Sequence, residues 1–172
     1  MNVSKLKPTE WLVVAGGVIV LIFGLFKWFS WDVRDDNVLV VSDQSNAFDY
    51  LLTGVLPWLL VIGAAVVTLL LATENLRRDG IPWPLVILAA TVLAAVLVII
   101  RLIIGYDPDP RGGAEADVSR GIGLWLSAVG ALVAAVGAFL TYQAEAFDKR
   151  ITTPSNPPQP PRPDREIPPP VP

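Results

Sequence analysis

Four stretches of this chain are apolar over lengths that match the hydrocarbon core of a bilayer. That core is about 30 Å thick and takes roughly 20 helical residues to cross. The runs lie at residues 11–28, 51–72, 85–104 and 122–142. In lipid, every backbone N–H and C=O must be paired within its own helix or around a closed barrel, and four runs are too few to close a barrel. The expected fold class is therefore an all-α membrane protein, with four transmembrane helices in a bundle. Of the 172 residues, 53% are hydrophobic and 17% charged, a balance that disfavours a soluble domain. Lys5 and Lys7 precede the first run as they would in a signal peptide. Phe26, Trp28, Phe29 and Trp31 follow it instead of a small-residue cleavage pattern, so the run reads as a retained span.

What is missing narrows the chemistry. The chain has no Cys and no His, which removes disulfides, thiolate nucleophiles and the commonest general base and transition-metal ligand. Its net charge is -3 and no basic cluster is available to neutralise phosphates, so nucleic acid is not an expected partner.

Lysine and arginine set the expected orientation. Lys5, Lys7, Arg77, Arg78, Lys149, Arg150, Arg162 and Arg165 fall on one side of the runs. The positive-inside bias then puts both termini, residues 1–10 and 143–172, and the loop 73–84 in the cytoplasm. Loops 29–50 and 105–121 are external and acidic. Trp11, Trp28, Trp31, Tyr50, Trp83, Tyr106 and Tyr142 lie near run ends, where aromatic belts form.

The first external loop has local order. Val38 to Val41 can pair with Trp28 to Val33 across a turn at Asp35, Asp36 and Asn37, giving a short β-hairpin. A lone hairpin is marginal, so it has to lean on the helix ends or on the second loop. Ser45 reads as a helix N-cap. Pro57 means either a kink in the second helix or a span that begins at Pro57 after a partly interfacial segment. Asp32, Asp35, Asp36 and Asn37 offer hard oxygen donors. Their spacing does not match a calcium-binding loop, so they read as a solvated acidic face, and no metal or other cofactor is expected.

Arg101 is the one charge well inside a run. It lies near the external end, where it can extend to the headgroups or pair with a carboxylate such as Asp49 or Asp107; Lys27 reads in the same way. The tail from Thr152 is too proline-rich for a helix or a core and reads as disordered polyproline II. Within it, Pro157, Pro160 and Arg162 form a PxxPxR pattern of the kind that aromatic grooves bind, with a plain spacer as the simpler reading.

The fourth run carries a stripe of small residues, Gly123, Ser127, Gly130, Ala134, Gly137 and Thr141, spaced 4, 3, 4, 3 and 4 apart. That spacing puts them on one narrow face of a helix. Helices in lipid associate by close backbone approach, so the stripe is a contact seam. Its expected partner is another helix of the same chain, with a second protomer or a protein partner as the alternative. Gly17 and Gly24 on the first run and Gly63, Ala64 and Thr68 on the second are candidate faces for it. WLLVIGAAV from Trp58 and WLSAVGALV from Trp125 are a faint internal echo.

The cluster WFSW (Trp28 to Trp31), the loop ending NAFD (Asn46 to Asp49), LPW (Leu56 to Trp58), IPWPL (Ile81 to Leu85) and Arg101 together resemble small four-helix membrane proteins of actinobacteria that have no assigned activity. The likeness covers about residues 5–145. It implies a bacterial plasma-membrane protein and brings no catalytic residue with it. The functional expectation is a non-enzymatic structural or interaction component of a bacterial envelope assembly. Its partners would be membrane lipid and proteins reached through helix 4 or the tail. The alternative is a small transporter or channel component acting as an oligomer.

Overall fold

The computed structural model describes residues 6–35, 38–73, 76, 80–105 and 115–152. Among them are four helices, α1 (Pro8–Phe23), α2 (Leu56–Ala72), α3 (Trp83–Ile104) and α4 (Ile122–Thr152), and three strands, β1 (Phe29–Asp35), β2 (Val38–Ser45) and β3 (Glu115–Arg120). Three helical stretches, Leu51–Ala72, Trp83–Ile104 and Ile122–Asp148, are long and apolar enough to cross a membrane, while α1 is a shorter apolar helix. In order around the bundle, α1 packs on α2, α2 on α3, α3 on α4 and α4 on α1.

Helix starts are written locally. Proline occupies the first turn of α1, α2 and α3, where its missing N–H costs no hydrogen bond. The Glu10 carboxylate accepts the Lys7 backbone N–H at 2.9 Å, closing the start of α1 as a capping acid does. Between Leu51 and Val55 the chain forms a single π-helical turn, with the N–H groups of both Gly54 and Val55 on the Tyr50 carbonyl. The wider turn runs directly into α2 at Leu56 and brings in Pro57 where its missing N–H costs no hydrogen bond. Of the two alternatives, the α-helix follows the late start, beginning at Leu56 with Pro57 in its first turn.

The hairpin is present and is extended into a sheet. The strand order is β2-β1-β3, antiparallel throughout, with Phe29 opposite both Ser45 and Arg120. A strand from the second loop thus supplies the support that a lone hairpin lacks. Several boundaries also move. The first helix stops at Phe23 rather than reaching residue 28, because the next residues turn inward and bury Trp28 and Phe29. Trp28 is therefore a core residue, not a belt residue. Ser45 ends β2, and Asn46 is the cap of the 3-10 turn Ala47–Asp49, its side chain accepting the Phe48 N–H at 2.8 Å. The fourth helix continues through residues 143–152, expected as tail, since Ala144, Glu145, Ala146, Lys149 and Arg150 favour helix. Asp36, Asn37, Asp107, Arg77 and Arg78 lie outside the described residues.

Candidate functional site

The seam on α4 faces α1. Five of its six residues are buried and Thr141 is half-buried. A β-carbon added to Gly16 would come 2.5 Å from the Gly130 carbonyl and 2.6 Å from the Ala134 nitrogen. One on Gly130 would meet Ile19 at 2.7 Å, and one on Gly137 would meet Leu12 at 2.7 Å. The two backbones approach so closely that a β-carbon has no room between them, as a small-residue seam permits. Thr141 Oγ1 donates to Thr9 Oγ1 at 3.0 Å, closing the far end of the contact. The stripe is thus taken up inside the chain. Its main partner is Gly16, not Gly17 or Gly24; those two meet Ala65 and Trp58 of α2. Gly63 is exposed, with nothing within 4 Å of an added β-carbon, and so contributes no contact face.

At the sheet end the main chain stitches three elements together. Gly121 and Gly123, at the start of α4, donate to the carbonyls of Trp28 (2.7 Å) and Lys27 (3.2 Å). Trp28 N–H donates to Ser45 O at 2.7 Å, and Ala47 N–H to Gly24 O at 3.2 Å. Donors and acceptors left over at helix ends are met by one another. The Trp28 indole N–H points back to the Phe23 carbonyl at 3.4 Å. Its ring stacks on Tyr50 with 6.5 Å between centroids, and Phe29 meets Tyr50 edge-on at 5.9 Å.

Arg101 ends in this aromatic cluster. Its guanidinium carbon lies 3.7 Å from the Tyr50 ring centroid and 5.1 Å from that of Phe29, within cation–π range. The Tyr50 hydroxyl is 2.6 Å from Ser45 Oγ. Asp49, the expected partner of Arg101, turns its Oδ2 to the Asn46 N–H at 2.7 Å. Asp32 sits in the middle of β1, in register with Ser42 of β2 and Asp117 of β3. Among the described residues no three acidic side chains gather closely enough to hold a metal ion. The tail residues Pro157, Pro160 and Arg162 lie outside the described residues.

The opposite end holds a feature the spacing rules did not single out. A cavity of about 20 Å³ is lined from all four helices by residues that include Glu10, Thr68, Ile87, Thr141 and Glu145. It is large enough for one water molecule. Glu10 is buried, and Glu145 half-buried. The signal was available: Glu10, Val13, Gly17 and Val20 share one helical face, as do Ala131, Ala134, Ala138, Thr141 and Glu145. Between the two ends the bundle is filled by Val20, Val61, Ala94, Ala95, Ala131 and Ala134. The buried hydroxyls of Thr68 and Thr91 donate to carbonyls of their own helices, Ala64 and Ile87.

These features define a mostly helical protein with three helices able to cross a membrane and a small three-stranded sheet at one end of the helices. Compared with known proteins, the chain matches no family model and no curated protein.

Proposed function

We propose that the chain is a four-span integral protein of a bacterial plasma membrane, with both termini in the cytoplasm, and that it is a non-enzymatic structural or interaction component of an envelope assembly. The observation that carries this reading is the sheet: two loops leaving different helical hairpins are woven together and seated on the helix ends. Among the described residues, its outer strands β2 and β3 each keep one main-chain edge free of a sheet partner, the kind of edge that a partner's strand can extend. The first helix, though the shortest, supports a fourth span: its 16 residues rise about 24 Å, and it stays beside α4 from the Thr9–Thr141 contact to the Phe23–Gly123 contact. The distribution of lysine and arginine supports the orientation, and the resemblance to small actinobacterial membrane proteins supports the bacterial setting.

Native purification in mild detergent tests the assembly role. A protein partner should co-purify, and deletion of residues 153–172 should release any partner held by the tail. The topology is tested by single cysteines in this cysteine-free chain: Asn37→Cys should react with an impermeant reagent outside intact cells and Asn75→Cys should not. The reverse pattern inverts the orientation.

A second reading, a small transporter or channel component acting as an oligomer, is favoured by one observation, the cavity with Glu10 and Glu145. A partner-free preparation that conducts ions in liposomes would select it over the assembly reading.

A further inference from the structure

Between the end of α3, the last residues of β3 and the first turn of α4 lies a crevice of about 340 Å³, lined by Phe29, Ile104, Gly105, Val118, Arg120 and Trp125. Its character is split. Ile104 is 73% exposed and Trp125 52%, so an apolar wall opens away from the protein core. The polar wall is Arg120, whose side chain reaches over the end of α3. Its Nη2 passes 3.5 Å from the place a β-carbon would take on Gly105, which has φ of +72°. Among the described residues the Arg120 guanidinium has no hydrogen-bond or ionic partner. Lys27 is also exposed at this end; its Cγ lies 3.2 Å from the place of a β-carbon on Gly121, the residue after Arg120.

One cation, Arg120, therefore stands in an apolar-walled crevice at the level where the helices end, and Lys27, near Gly121, adds a second positive charge at the same end of the helices. In a membrane-spanning chain this is where hydrocarbon gives way to headgroup phosphates. A guanidinium offers paired N–H donors that match a phosphate, and an ammonium adds a point charge. We propose that this crevice binds an anionic phospholipid from the leaflet at the sheet end. The headgroup phosphate lies against Arg120 and Lys27, and an acyl chain lies along Ile104 and Trp125. Charge complementarity selects an anionic lipid over a zwitterionic one. The proposal rests on the membrane-spanning reading.

The test follows thermal unfolding of the full chain in detergent while phosphatidylglycerol, phosphatidylcholine or inorganic phosphate is added. Phosphatidylglycerol should raise the midpoint with an apparent affinity about fivefold or more above that of phosphatidylcholine, the scale set by one basic residue at a lipid surface. Inorganic phosphate should not raise it. Arg120→Gln should bring phosphatidylglycerol down to the level of phosphatidylcholine, and Arg120→Lys should retain part of the preference. An unchanged preference in Arg120→Gln overturns the site. An equal response to inorganic phosphate overturns the lipid in favour of a free anion. If Arg120→Gln does not fold, Lys27→Gln decides, with a weakened preference expected and an unchanged one against the site. Alkaline extraction of native membranes tests the underlying reading by itself. A chain released into solution overturns both, whereas a chain retained but indifferent to lipid charge overturns the site alone.

Discussion

At the sheet end, the end of α1 and the start of α4 are satisfied by distant parts of the chain; at the opposite end, the start of α1 is satisfied by its own neighbours. Gly121 and Gly123 of α4 give their N–H groups to Trp28 and Lys27, nearly a hundred residues earlier. Lys7 gives its N–H to Glu10, three residues later, and Pro8 has no N–H to place. The aromatic side chains follow the same division. Trp28, Phe29 and Tyr50 interlock around Arg101 at the sheet end, whereas the other end encloses a small polar cavity. A network of distant partners forms only when the whole chain has folded, and its members depend on one another. A set of local caps loses one contact at a time. The sheet end should therefore respond to single substitutions far more strongly than the opposite end.

Trp28→Ala is the strongest test. It removes a fully buried ring that stacks on Tyr50 and reaches back to the end of α1, and the loss of stability should be about 3–5 kcal/mol. Unfolding by heat or denaturant in a fixed detergent measures it, with Trp125→Ala, at an exposed position, as the reference. If the two variants lose the same amount, the contrast between the ends does not hold.

The middle of the bundle gives a smaller effect and a sharper control. Gly130→Leu forces α1 and α4 apart against Ile19 and the Gly16 carbonyl, and overpacking of this kind costs about 1–3 kcal/mol. Gly63→Leu places the same side chain in open space on α2 and should change stability by less than about 0.5 kcal/mol. The same melts report both. A Gly63→Leu loss that matches Gly130→Leu would mean that the α1–α4 contact is not special.

That pair of glycines also shows how far the sequence could be read. Gly63 and Gly130 occupy the same place in the echoed segments WLLVIGAAV and WLSAVGALV, yet one faces outward and the other is buried. Helical spacing placed the six residues of the α4 stripe on one face, because spacing is a local property. It could not choose Gly16 over Gly17 as the partner, since adjacent residues on a helix point about 100° apart and only the neighbouring helix decides between them. The hairpin was legible from its β-branched run and turn residues, but the third strand was not: Glu115 to Arg120 gains its pairing from β1, more than eighty residues earlier. Aromatic residues at run ends suggest a belt, a rule that fails for Trp28: it is buried, held by main-chain bonds to Ser45 and Gly121 that no short window contains. The boundary at residue 142 marked where apolarity falls, not where the helix ends, because alanine, glutamate and arginine sustain a helix without being apolar.

Glu10→Gln is the finest test of the local end. The amide oxygen of glutamine can still accept the Lys7 N–H, so the geometry of the cap survives. What goes is the charge, and a carboxylate near the positive end of a helix is worth about 0.3–1 kcal/mol. The loss should therefore stay below about 1 kcal/mol, read in the same melts. A Glu10→Gln loss as large as that of Trp28→Ala would mean that the cavity end is as interdependent as the sheet end.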